Sequence, residues 1–313
     1  MNQRTIKANK TSNKVQVKST KMTVLKTFKV SKQYELLAFL FEKITNDSKN
    51  NIKRYLSNHQ VLVNGNCVTQ FNYLIYKEDV VQIVKDPVKK EEKAKIKLDI
   101  IYEDDELIVI NKPSGLLSIE SDHEKTNTAY RLLNDHVSKN DKKARVFTVH
   151  RIDKDTSGVL VVAKNEKIKN ALQHKWKDIV KKREYIAICE GRFKEKQGTV
   201  KSYLRSNANN VMYSTKDNTG QFSITHYKVI KENSKYSMVD VCIDSGRKNQ
   251  IRVHMGDLGH KVVGDDKYNS ETNPLNRLGL HAYVLEFVHP ITNKLMTFKA
   301  EIPTIFNSLF SKK

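Results

Sequence analysis

Between positions 149 and 163 the chain passes from a charged segment, His150-Arg151-Ile152-Asp153-Lys154-Asp155, through Thr156-Ser157-Gly158 into the unbroken apolar run 159–163. A short apolar run bounded by such a turn predicts a buried strand. The polar residues just before it are then held at the edge of a rigid element, where a side chain can be given a fixed aim. Further β-patterned runs are frequent after residue 98, and long helical stretches are few. That balance predicts an α+β fold.

Size and charge narrow the partners. A chain of 313 residues, 38% hydrophobic, can bury a sizeable core and is expected to split into a large and a small domain. Its formal net charge of +21 attracts polyanions, with nucleic acid ahead of an anionic membrane surface. No apolar stretch approaches the roughly 20 residues of a membrane span, and no signal-peptide core stands near the start. Cys67, Cys189 and Cys242 are widely spaced, with no C-x-x-C pair. They suit a reducing compartment, the cytoplasm, and argue against a disulfide framework or zinc site. His254, His260 and His281 lack closely spaced Cys or carboxylate companions, so structural roles are expected for them and no metal.

Four segments are expected along the chain. Residues 1–22 carry Arg4, Lys7, Lys10, Lys14, Lys18 and Lys21 without an acid, as a disordered basic arm would; an organelle transit peptide is the alternative. Residues 23–85 have the pattern of a small α/β module. Tyr34, Leu37, Leu40, Phe41 and Ile44 recur at helical spacing, and Ser48 is placed to cap a second, basic helix with Lys49, Lys53 and Arg54. Apolar stretches then flank Asn64-Gly65, a strong hairpin signal, and residues 79–84 supply a last strand. Residues 86–97 form a charge-dense linker, and residues 98–313 the larger domain. Within it, strands are expected at 98–102 and 107–110, around an acidic turn at 103–106 read as a solvated tip. The segment Asn111-Lys112-Pro113-Ser114-Gly115 breaks that pattern.

The order His150-Arg151-Ile152-Asp153, then Thr156-Ser157-Gly158, resembles the signature of the RluA-type RNA pseudouridine synthases, with Ile152 where Leu is usual. The resemblance implies that Asp153 is the catalytic carboxylate and that Arg151 fills the space left by a flipped-out base. Lys112-Pro113-Ser114-Gly115 is similar to the segment preceding that motif in the family. Residues 182–191 alternate like a strand and resemble the second motif, whose active-site tyrosine maps to Tyr185. Residues 244–255 resemble the third, Thr-Gly-Arg-x-His-Gln-Ile-Arg, with Ser245 in place of Thr and Asn249 in place of His. Asn keeps a donor and an acceptor but cannot titrate. It is tolerated if the usual histidine only orients the motif, and harmful if that histidine moves protons. The arginine that pairs with the catalytic Asp is assigned to Arg252, with Arg247 the alternative; both also suit phosphate. Residues 256–268 and 278–283 complete the likeness. The first module resembles the small RNA-binding module of ribosomal small-subunit protein S-four. That likeness implies that Lys49, Asn50, Lys53, Arg54 and Asn64 face RNA.

These resemblances imply a pseudouridine synthase fold, a mixed, mainly antiparallel curved sheet with helices at its sides and the cleft across it. The implied reaction turns uridine into pseudouridine in structured RNA, large-subunit ribosomal RNA ahead of transfer RNA. It breaks the bond from ribose to N1, turns the base and rejoins it through C5. No redox or phosphate chemistry occurs, so no cofactor and no metal are expected. A carboxylate can attack the sugar or stabilise its oxocarbenium-like form. A neighbouring Arg252 keeps it ionised in a water-poor pocket, and Tyr185 can pack on the base and assist proton removal. The expected partner is RNA, not a membrane, and the expected state a monomer. Two other functions compete. A non-catalytic RNA-binding or ribosome-assembly protein would explain the charge but not an intact Asp153, Tyr185 and Arg252. A glycosidase or nucleosidase would need a second carboxylate, for which Asp155 is the local candidate.

Overall fold

The computed structural model describes residues 23–88, 96–121 and 124–311. The expected basic arm and most of the expected linker lie outside the described residues. The chain divides between Ile96 and Lys97 into two compact units.

The small unit runs β1 (Val24–Lys29), β2 (Tyr34–Glu35), α1 (Leu36–Lys43), α2 (Lys49–Ser57), β3 (Val61–Val63), β4 (Asn66–Cys67), β5 (Leu74–Ile75) and β6 (Val80–Val84). Its main sheet has the order β1-β6-β3-β4, antiparallel throughout. Ser48 caps α2, its hydroxyl accepting from the Asn51 N–H at 3.2 Å, a contact worth about 1 kcal/mol. The β3–β4 turn needs two residues with positive φ, and Asn64 (50°) and Gly65 (78°) supply them. The first helix differs from the spacing read in the sequence. Tyr34 is drawn into β2 by pairing with Ile75, so the helix begins at Leu36. Its buried face is Leu36, Phe39 and Leu40, while Leu37 and Phe41 stay half-buried.

In the large unit β7 (Asp99–Glu103) and β8 (Leu107–Lys112) lead into α3 (Ala129–Val137), β9 (Phe147–Thr148), β10 (Ser157–Ala163) and α4 (Glu166–Ile179). The long strands follow: β11 (Val180–Glu190), β12 (Gln197–Ser206), β13 (Met212–Thr215), β14 (Gln221–Glu232) and β15 (Tyr236–Ile243). Helix α5 (Gln250–Asp257), a 3-10 turn (Asp266–Tyr268), β16 (Leu280–Val288), β17 (Leu295–Lys299) and α6 (Thr304–Ser308) end the chain. The sheet order is β13-β12-β14-β15-β11-β16-β10-β8-β7, with β17 on β16 and β9 on β10. Only β10 and β16 pair in parallel, so the sheet is mixed and mainly antiparallel.

Strand β10 is buried along its whole length because helices cover both faces. Val159, Val161 and Ala163 join Leu107, Val109 and the α4 residues Ile168 and Leu172. Leu160 and Val162 join Ile108, Ile110 and the α3 residues Ala129 and Leu133. Gly158, with φ of 111°, opens the strand where it meets β16; a Cβ there would overlap the Ala282 carbonyl. Helix α5 lies on another stretch of the sheet, with Ile251 and Met255 packed among Ala187, Cys189, Val239 and Val241. Two expectations need correction. Strand β8 runs on through Asn111 and Lys112, which pair with Val159 and Gly158. The acidic turn is tied rather than merely solvated, since Asp104 accepts from the Tyr102 hydroxyl at 2.6 Å and from the Leu107 N–H at 2.7 Å. Among the described residues no helix is long and apolar enough to cross a membrane.

Candidate active site

The loop before β10 is fixed by hydrogen bonds to the segment that follows β8. Lys112, fully buried at the end of β8, donates to the carbonyls of Leu116 (2.6 Å), Lys154 (2.9 Å) and Pro113 (3.0 Å). Three carbonyls match the three N–H donors of an ammonium. Burial nonetheless pushes this lysine down to about 7, with the charges of Asp155 and Asp153 among the influences opposing it. Ser118 donates its hydroxyl to the Ile152 carbonyl at 2.7 Å, and Ser114 donates to the Asp155 carbonyl at 2.6 Å. The Thr156 N–H closes the turn on the Asp153 carbonyl. Asp153 therefore projects from a loop bound on both sides of it.

Its carboxylate meets the N-terminal end of α5. Asn249 sits there in the left-handed region at φ 54°, which Asn tolerates better than most residues. Its side chain does not cap the helix but donates to Asp153 Oδ2 at 2.6 Å. Arg252, one turn on, reaches the same oxygen from Nη1 at 3.3 Å. The same guanidinium is gripped more tightly by Asp265, at 2.7 Å from Nε and 2.6 Å from Nη2. Burial works against the charge on Arg252, but the hydrogen bonds and charge of Asp265, then the charge of Asp153, hold its pKa above the ordinary arginine value. The Tyr268 ring lies 5.0 Å from the guanidinium, and its hydroxyl donates to Asn249 Oδ1 at 3.3 Å. Asp153, Asn249, Tyr268 and Arg252 thus form a closed ring of contacts, anchored from below by a side chain only 1% exposed.

A cavity of about 420 Å³ opens over this ring, lined by Asp153, Tyr185, Arg151, Arg247, Asn249 and Arg252 among others. That is within the usual range for a small-molecule-sized site. Tyr185 enters from β11, where the pairing with β16 shifts register between Glu184 and Tyr185. Burial pushes its phenol up to about 12, so it keeps its proton at neutral pH. Arg247 lines the wall, its buried Nε without a hydrogen-bond partner among the described residues. Arg151 is exposed at the rim.

The structure thus brings Asp153, Tyr185, Arg252, Arg151 and Arg247 to one cavity. Lys49, Lys53 and Arg54 lie exposed on α2 of the small unit, Lys49 and Lys53 flanking the buried face of Ile52 and Leu56 and Arg54 opposite it. Asn50 is exposed as well. Asn64 is bound within its own unit, donating to Asp79 and accepting from the Val80 N–H, both at 2.8 Å. His254 contacts Ser202 and Thr225, His260 contacts the Glu190 carbonyl, and His281 contacts Ser157 and the Ala300 carbonyl. Asp265, Lys112 and Tyr268 of the site were not singled out in the sequence. Asp265 was hidden beside Asp266 in an acidic pair, and Lys112 had only its likeness to a family segment as a signal.

Residues 106–257 match the family model described as RNA pseudouridylate synthase. YhcT of Bacillus subtilis, an uncharacterised RNA pseudouridine synthase, is 35% identical over 268 residues, 84% of this chain and 88% of that protein. Ribosomal large subunit pseudouridine synthase D of Zymomonas mobilis is 36% identical over 230 residues, 69% of this chain and 72% of that one. Among solved structures, human RNA pseudouridylate synthase domain containing 4 shares the fold, with a TM-score of 0.54 at 22% identity over 67% of this chain and 90% of that one.

Proposed function

The chain belongs to the RNA pseudouridine synthase family, and on that premise we propose that it isomerises uridine in large-subunit ribosomal RNA. The observation that carries the reading is the carboxylate of Asp153, held by Asn249 and Arg252 in a cavity that also contains Tyr185. A relative named for the large ribosomal subunit supports the substrate. That substrate would place the protein in the cytoplasm.

Asp153 meets C1′ of the target ribose, as nucleophile or as counter-charge to an oxocarbenium-like sugar. The N1–C1′ bond breaks, the uracil turns against Tyr185, and C5 bonds to C1′. The proton lost from C5 is matched by the one gained at N1, so the reaction balances within the substrate. Tyr185, which keeps its own proton, packs on the base and offers a hydroxyl, a poor base at neutral pH. The Asp153 carboxylate, once released from the sugar, is then the acceptor for the C5 proton. Unstacking the target base costs a few kcal/mol, and the planar guanidinium of Arg151 is suited to fill the gap. Lys49, Lys53 and Arg54 of the S-four-like unit supply further phosphate contacts.

The test is conversion of uridine in a ribosomal RNA transcript by the purified protein, read by pseudouridine mapping and by mass. Isomerisation leaves the mass unchanged, a nucleosidase removes uracil, and a binding protein does neither. Asp153→Asn keeps the shape without the charge, so it should abolish product while RNA binding stays within a few-fold. Substantial turnover by this variant would sink the role assigned to Asp153. Mapping ribosomal RNA from cells lacking the gene would identify the target uridine.

A further inference from the structure

Away from the cleft, the outer face of the β12–β13–β14 ribbon carries an arrangement that isomerisation does not use. Cross-strand partners in an antiparallel pair share a face. Tyr203 lies opposite Phe222 on one side and Thr215 on the other, and Arg205 lies opposite Tyr213. The Tyr203 and Phe222 rings are 5.2 Å apart, and Phe222 and Tyr213 are 45% and 40% exposed. Single exposed aromatics are ordinary on a protein surface, but these three share one face of one ribbon.

The ribbon's core-forming side chains are on its other face. Leu204 and Met212 pack with Val253 of α5, and Ser202 and Ser214 bond His254 and Asp257. The outer rings are therefore not needed to seat α5. Lys201, Arg205 and Lys216 are exposed around them. Asp217, an acid of the adjoining turn, is engaged by the Thr219 hydroxyl at 2.7 Å. The same face leads back to the cleft. Ile224, two residues from Phe222, exchanges bonds with the start of the cleft loop, accepting from the Asp244 N–H and donating to the Ser245 hydroxyl, both at 3.2 Å. Gly246, Arg247 and Lys248, next in that loop, line the cavity.

We propose that this face binds the single-stranded RNA flanking the target uridine. Bases stack on Phe222, Tyr203 and Tyr213, and Lys201, Arg205 and Lys216 meet the phosphates. The inference rests on the reading of the chain as an enzyme of RNA. Rings interleaved with cations suit a strand whose bases present π-faces and whose backbone is anionic, whatever its sequence.

The test uses the full chain and a labelled oligouridylate of about a dozen nucleotides, a length that spans such a surface. Each lost stacking contact weakens binding by about fivefold or more, so Tyr213→Ala/Phe222→Ala should bind at least ~20-fold more weakly. Phe222→Trp should bind as tightly as the native protein. Both altered side chains are well exposed, and an unchanged melting temperature verifies the fold. An abasic oligomer of the same length should bind the double variant and the native protein equally, because only stacking has been removed. Equal loss on the abasic chain, or unchanged oligouridylate binding, would overturn the proposal; the latter is also the result if the face docks a protein. Binding is read without turnover, so the two readings fail separately. Ring-dependent binding by a protein that converts no uridine would sink the proposed activity alone, and an active enzyme with unchanged variant binding would sink this site alone.

Discussion

The small unit and the large unit bury different kinds of side chain. Among the described residues, the small unit's core is apolar, built on Leu36, Phe39, Leu40, Ile52 and Leu56. Every buried polar or charged residue among the described ones lies at position 112 or later, including Lys112, Asn249, Gln250, Arg252, His254, Asp265 and His281. The cations of α2 are exposed to water on a helix whose apolar residues Ile52 and Leu56 are buried. Phosphate attraction acts at a distance and tolerates such solvation. Charge that must stabilise a reacting sugar has to be held in place and shielded, which requires desolvated groups with fixed partners. The large unit accepts the cost of burying charge, about several kcal/mol per ion before pairing, and offsets it with the Asp153–Arg252–Asp265 chain.

The sharpest way to break this contrast is to alter Arg252. Removing its charge outright would strand the buried Asp265, a penalty of about 3–5 kcal/mol that would confuse folding with chemistry. Arg252→Lys keeps the charge, but one ammonium cannot reproduce the fork that spans Asp265 and Asp153. Turnover at saturating RNA should fall by about 100-fold or more, the size of loss seen when an aimed electrostatic contact is removed, with RNA binding little changed. Arg247→Met should do the reverse, weakening binding while single-turnover rates at saturation hold. If Arg247→Met lost the rate and Arg252→Lys only the affinity, the two arginines would have to exchange roles.

The comparison also explains what could be read from the sequence. The strand β10, the Asn64-Gly65 hairpin and the Ser48 cap are local, because a few adjacent residues dictate each of them. The motif around Asp153 was legible for the same reason. Asp265 was not, because Asp265 and Asp266 look alike until the fold buries one and exposes the other. Lysine is rarely buried, so Lys112 read as a break in a pattern rather than as the support of the Asp153 loop. The sequence posed Asn249 as a question about a missing histidine. The structure places its amide on an acid 96 positions away, a contact no local pattern encodes.

A smaller effect is expected in the other unit. Lys49→Gln/Lys53→Gln/Arg54→Gln should weaken RNA binding about tenfold at moderate salt and reduce the slope of log affinity against log salt by about 2. Turnover at saturating RNA should not change, since these side chains lie on α2, in a different unit from the Asp153 cavity. An unchanged salt slope would remove the small unit from RNA binding. A fall in the saturated rate would show that the division between binding and chemistry is not as clean as the burial pattern suggests.

The smallest effect concerns acid, and it follows from the large unit's buried histidines. His281 is fully buried, with Nδ1 2.8 Å from the Ser157 hydroxyl, and burial pushes it down to about 4 from an ordinary 6.5. The unfolded chain takes up this proton as pH falls through 6.5, whereas the folded chain resists until about pH 4. In that window the unfolded state binds more protons, so stability declines as pH falls and is regained as it rises. At pH 5.5 the difference is about one unit, roughly 1.4 kcal/mol, or about 3–5 °C in the melting temperature of a unit this size. His281→Asn removes the titration while keeping a polar group near Ser157. It should melt below the native protein at pH 7.5 but lose less on acidification to pH 5.5. Some slope should remain, because burial also lowers His254. A variant that loses its melting temperature as steeply as the native protein would show that the acid sensitivity of the large unit arises elsewhere.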